Sequence, residues 1–105
     1  MDKVASLKEI LEQDPKNAFA RYGLAMEYAV RSETAAALTE FDRLLMDHPE
    51  YTAGYFMAAQ TLAKAGRDVD AKQKLADGIA CARQTGNQHA QREMQAMLDE
   101  MELQE

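Results

Sequence analysis

A chain of 105 residues with 47% apolar and 29% charged side chains has the size and composition of one ordinary globular domain with a core of its own. Its formal net charge of −6, with twelve basic residues scattered along the chain, argues against nucleic acid, whose phosphates need Lys and Arg gathered on one face. No stretch approaches the ~18 consecutive apolar residues of a membrane span, and the single Cys81 closes no internal disulfide.

Strong helix formers abound, prolines number two and glycines five, and no run alternates Val, Ile and Thr as a strand does; the chain is predicted to be all-α. Breakers divide it into six helical segments. The first spans about Lys3 to Gln13, with Asp2 as N-cap and Asp14-Pro15 as its end. Its flank "MDKVASLKEILEQDP" is charged throughout and lacks a signal peptide's apolar region, so a cytoplasmic location is expected. The second spans about Asn17 to Val30. Ser32 suits an N-cap for the third, about Glu33 to Met46, which stops at "DHPE" because the residue before Pro49 is pushed out of the α region. The fourth, about Tyr51 to Ala65, is closed by Gly66 as a left-handed C-cap. Asp68 caps the fifth, about Val69 to Gln84, and "TGN" separates it from the sixth, about Gln88 to Leu103. The short linkers make consecutive helices antiparallel hairpins.

The segments alternate in character. "RYGLAMEYA" (21–29) and "YTAGYFMAAQTLAKA" (51–65) are apolar on nearly every side and have to be covered on nearly every side. The third and fifth are amphipathic. Ala37, Leu38, Phe41, Leu44 and Leu45 lie on one side of the third, with Glu40, Asp42 and Arg43 opposite. Ala71, Leu75, Ile79 and Ala82 form the apolar side of the fifth. An inner and an outer helix in repetition describe an α-solenoid of antiparallel hairpins.

Pro15 and Pro49 stand 34 residues apart. At that period Leu24-Ala25, Tyr28, Ala37 and Phe41 recur in role as Ala58-Ala59, Leu62, Ala71 and Leu75, with Tyr55 also on the second first helix, and Pro49 closes the first repeat. The pattern resembles the tetratricopeptide repeat family, whose first helix carries a large aromatic, Leu, a small residue and Tyr, and whose second carries Ala, an aromatic and a closing Pro. Small residues let paired helices approach while large ones fill the gaps. Arg21 departs from the pattern, taking the place of the first aromatic beside Tyr22; Ala58 stands where Leu is usual, and the second repeat lacks its proline. A single domain over 1–105 is expected, with a leading helix at 3–13, repeats at 18–51 and 52–84, and a capping helix at 88–103. Similarity extends to small stand-alone bacterial proteins of this type.

The resemblance implies a concave groove lined by the first helices, where peptides bind. Its residues here would be Phe19, Tyr22, Met26 and Val30, then Phe56, Gln60 and Lys64, with Ala29, Ala53 and Ala63 between them. Helical spacing independently places 19, 22, 26 and 30 on one stripe. The Lys and Asn of the family's clamp for acidic tails are replaced by Tyr22, Met26 and Met57, so the implied partner is an apolar or amphipathic peptide or helix of another protein. Two rival fates are the sixth helix folding over the groove and two chains burying their grooves in a homodimer. Replacing Phe56 by Glu is expected to abolish capture and leave helicity intact.

No constellation of catalytic residues is evident, and neither an enzymatic activity nor a cofactor or metal is expected. Cys81, in an Ala-rich helix, reads as a small buried hydrophobe. His48 and His89 are far apart in sequence and lack metal-ligand spacing. Glu27 with Arg31, and Arg43 with Asp47, suit i,i+4 ion pairs. Met46 is expected in the core, and Met94, Met97 and Met101 under the cap; Met26 and Met57 fit either core or groove.

Overall fold

In the computed structural model, which describes residues 2–104, six helices follow in chain order: α1 (Lys3–Gln13), α2 (Ala18–Val30), α3 (Thr34–Asp47), α4 (Thr52–Lys64), α5 (Asp68–Thr85) and α6 (Gln88–Leu103). Three open on a side chain that satisfies the otherwise orphaned N–H groups of the first turn. Asp2 accepts from Val4 at 2.7 Å and Ala5 at 3.2 Å, and the N–H groups of Ala5 and Val4 hold its carboxyl below the usual range. Asn17 accepts from Ala20 at 2.8 Å, and Asn87 from Ala90 at 3.1 Å.

The starts of α3 and α5 differ from expectation, and one cause serves both. The N-caps are Glu33 and Arg67, neither making a side-chain cap bond. Ser32 is taken up by the end of α2. It sits at φ 60°, and the N–H of Glu33 returns to the Tyr28 carbonyl at 2.9 Å. Gly66, 34 residues on, sits at φ 79°, with Arg67 N–H on the Leu62 carbonyl at 2.9 Å. Both turns are Schellman closures that need a left-handed residue. Asp68 lies inside the first turn of α5, where its charge suits the helix dipole. Because Ser32 is exposed and carries a Cβ in a left-handed conformation, Ser32→Gly is expected to stabilise the chain by roughly 0.5–1 kcal/mol. Urea denaturation checks this, and an unchanged or lower midpoint would deny strain at that turn.

The short turns set α2 against α3, α4 against α5, and α6 against α5, while α1 leans on α2. Alternation of direction makes α2, α4 and α6 parallel neighbours on one side, with α1, α3 and α5 on the other. The molecule measures 43 × 29 × 18 Å. Its core has three connected parts. Leu11, Ala20 and Leu24 join α1 to α2; Ala25, Ala37, Phe41 and Ala58 join α2, α3 and α4; Ala59, Leu75, Ile79, Ala82 and Met94 join α4, α5 and α6. Small residues decide how near the helices come. A Cβ on Gly78 would lie 2.5 Å from Met94 Sδ and 2.7 Å from Tyr55 Cβ, so only glycine lets α4 and α6 close on α5 there.

Three further expectations fail on helix α3. Glu40 is buried, held at 2.7 Å by Arg21 of α2, and Arg43 turns back to it at 3.5 Å rather than forward to Asp47. Met46 is 82% exposed, because Leu44 and Leu45 already fill the inward positions of the last turn. The cap methionines behave as expected: Met94 is fully buried, and Met97 and Met101 pack against its cluster.

Candidate functional site

Parallel α2 and α4 present one wall each to a cleft of about 350 Å³. Met26, Ala29 and Val30 line it from α2, and Met57, Gln60, Thr61 and Lys64 from α4. Ser32 and Thr34, in and after the left-handed turn, close its end. Of the expected groove residues, Met26, Val30, Gln60 and Lys64 meet here. Phe19 is 80% exposed near the other end of α2 and does not line the cleft. Tyr22 is half-buried: its ring meets Phe41 edge-on at 6.4 Å and Tyr51 at 5.4 Å, and burial, then Tyr51, push its hydroxyl pKa up. Phe56 packs against the cluster under α6 instead of facing the cleft.

Thr61 was not among the expected groove residues, and Met57, which fitted either core or groove, lines the cleft. The signal for them is helical spacing: 57, 60, 61 and 64 share one stripe of α4, whereas 56 lies beside it. Phe56→Glu would therefore disturb the cap as well as any partner, and Val30, 76% exposed, is the cleaner probe.

Met26 and Met57 form an adaptable apolar floor, since unbranched thioethers follow the shape set against them. Thr61 spends its hydroxyl hydrogen on the Met57 carbonyl at 2.8 Å. Lys64 is the sole charged residue lining the cleft and has no ion-pair partner among the described residues. Glu27, on α2, is tied to Arg31 at 3.2 Å, the expected i,i+4 pair, and to Lys3 at 3.8 Å. Helix α6 touches α5 and α4 but makes no contact with α2, so it does not fold over the cleft.

A second cleft of about 300 Å³ lies between α3 and α5, lined by Asp42, Asp70, Asp77, Arg67, Lys74 and Gln73 with Leu38 and Leu62. Its charges pair internally, Lys74 with Asp42 at 3.4 Å and Arg67 with Asp70 at 2.8 Å. Cys81 is buried, its Sγ 3.4 Å from Thr52 Oγ1. His48 Nε2 lies 2.7 Å from the Lys16 carbonyl, bridging two turns, and His89 sits 2.9 Å from Glu93. Among the described residues no three potential metal ligands converge, and no helix is long and apolar enough to cross a membrane.

Stacked antiparallel hairpins with an inner row of parallel helices and an uncovered apolar cleft define an α-solenoid, a class of fold that generally mediates protein–protein interaction and is typically non-enzymatic. No family model matches the chain. It is similar to a TPR repeat-containing protein of Pseudomonas aeruginosa, 26% identical over 99 residues that span 94% of each chain. The crystal structure of a tetratricopeptide repeat domain protein from Salinibacter ruber superposes with a TM-score of 0.78 at 30% identity, covering 85% of this chain and 99% of that one. A solution structure of a tetratricopeptide repeat domain protein from the same organism gives 0.81 at 31% identity, covering 87% and 92%. The solution structure of a Bordetella parapertussis protein gives 0.86 at 26% identity, covering 99% and 90%. The chain belongs to the tetratricopeptide repeat family.

Proposed function

We propose that the chain is an interaction module, with repeats over 18–51 and 52–84, that binds an apolar or amphipathic segment of another protein in the cleft between α2 and α4. The observation that carries this is the methionine-floored cleft, which α6 leaves uncovered. Met26, Val30 and Met57 receive the partner's apolar side chains, while Gln60 and Lys64 supply polar contacts at the edge. Tyr22 packs against the same buried cluster as Met26, and Phe19 extends the apolar surface beyond the cleft along α2. The half-buried thioethers offer area without needing polar partners, so desolvating them favours binding. Ordering the partner offsets much of that gain.

Peptides selected by display on the immobilised chain test this reading. Val30→Glu places a carboxylate in the apolar wall, and since Val30 is exposed in the free chain, helicity by circular dichroism should not change. Binding of the selected peptides is expected to weaken roughly tenfold or more, about 1.4 kcal/mol. Equal binding to both proteins would take the cleft out of consideration.

A further inference from the structure

The last turn of α6 carries an apolar side chain without cover. Leu103 is 86% exposed, while the turn before it packs inward through Met101. Its neighbours Glu100 and Glu102 have no ion-pair partner among the described residues, and residues 93–105 hold five acids and no Lys or Arg. The cleft has the complementary chemistry: apolar walls from Met26, Val30 and Met57, and Lys64 as its one charge. In a chain of net charge −6, an apolar cleft whose only charge is positive selects an acidic, apolar occupant.

Topology places the two features together. Each of α2, α4 and α6 is separated from the next by one antiparallel helix, so their C-terminal ends share one end of the molecule. The cleft residues Val30, Ser32 and Lys64 lie at that end, and so does Leu103. Yet α6 is helical through Leu103 and makes no contact with α2, so a chain cannot seat its own tail in its own cleft.

We propose that the cleft accepts the α6 tail of a second copy, Leu103 entering between Met26 and Met57 and the carboxylate of Glu100, three residues before it on the same helix face, meeting Lys64. Since tail and cleft share one end, a two-fold axis there exchanges the tails reciprocally, and the assembly closes at two copies. The dimer rests on the same cleft as the binding reading and goes beyond it: the tail competes with a partner, so occupancy by either excludes the other.

Sedimentation velocity on the full chain, from micromolar to millimolar concentration, tests this. The wild type is expected to pass from monomer to dimer and no further, at a midpoint that moves to higher concentration with added salt. Leu103→Asp and Lys64→Glu both alter exposed side chains and leave the fold intact; each is expected to shift the midpoint at least tenfold upward. Combining Lys64→Glu with Glu100→Lys is expected to restore dimerisation. A chain that stays monomeric throughout overturns the proposal, as does a dimer that survives either single substitution or fails to return in the charge-swapped variant. A monomer leaves the binding reading intact, because that reading stands or falls with the Val30→Glu comparison.

Discussion

Phe41→Ala is expected to lower stability by about 4 kcal/mol, the cost of a lost aromatic transfer plus the cavity it leaves. Phe41 is fully buried on α3 and touches Ala25 and Tyr22 of α2 and Ala58 of α4, so one ring holds two hairpins together. The small residues around it cannot fill the void, since Ala25, Ala37 and Ala58 carry only a methyl each. For a domain of this length the melting temperature should fall on the order of 20 °C. The change consumes much of the ~5–15 kcal/mol available to a small protein. Calorimetry checks this, and a fall of only a few degrees would mean that α2 and α4 collapse onto each other without the ring.

Glu40→Ala is expected to cost about 3 kcal/mol, somewhat below a fully enclosed pair because solvent reaches its rim. The Arg21 side chain is 14% exposed and Glu40 9%, with Nη1 to Oε1 at 2.7 Å. Arg21 also donates from Nη2 to the Pro15 carbonyl at 3.0 Å, which pins the α1–α2 turn, while Arg43 approaches the other carboxylate oxygen at 3.5 Å. Removing Glu40 strands the guanidinium beside an apolar hairpin. Replacing both partners, Arg21→Met with Glu40→Met, should return stability to within about 1 kcal/mol of the wild type, because no charge is then left buried. Denaturant titrations of the two single variants and the double variant form the cycle; additive losses would show that the two groups do not act as a pair.

This pair marks where sequence reading stops. The hairpins, their order and the period of 34 were legible because apolar spacing and turn residues agree at every level. Glu40 was assigned outward by its charge alone. The clue was Arg21, which stands where the family places an aromatic on the face toward α3: a charge on a packing face needs a counter-charge across the hairpin. Ser32 was misassigned for a related reason. As a residue type it favours N-caps, but the tertiary path needs a left-handed residue there, and Gly66 one period later already signalled it.

The cleft was legible in part. The stripe of α2 led to Met26 and Val30, while on α4 the choice between neighbouring stripes decided the outcome. Phe56 is large and apolar, but α6 claims it; Met57, one residue on, faces α2. Which stripe a neighbouring helix covers depends on where the sixth helix docks, and no local pattern around residue 56 encodes that. Met46 failed in the same manner, since the inward places of its turn were already filled by Leu44 and Leu45.

The methionines themselves supply the most direct test, because they sample every surface in question. With the protein labelled at the methionine methyl groups, a peptide selected on the chain is titrated and the methyl resonances are followed by NMR. The interaction cleft described above predicts that Met26 and Met57 shift together and saturably, while Met46, exposed on the outer helix, and Met94, buried under the cap, stay in place. Shifts at Met46 with Met26 and Met57 unmoved would contradict it and assign binding to the outer face.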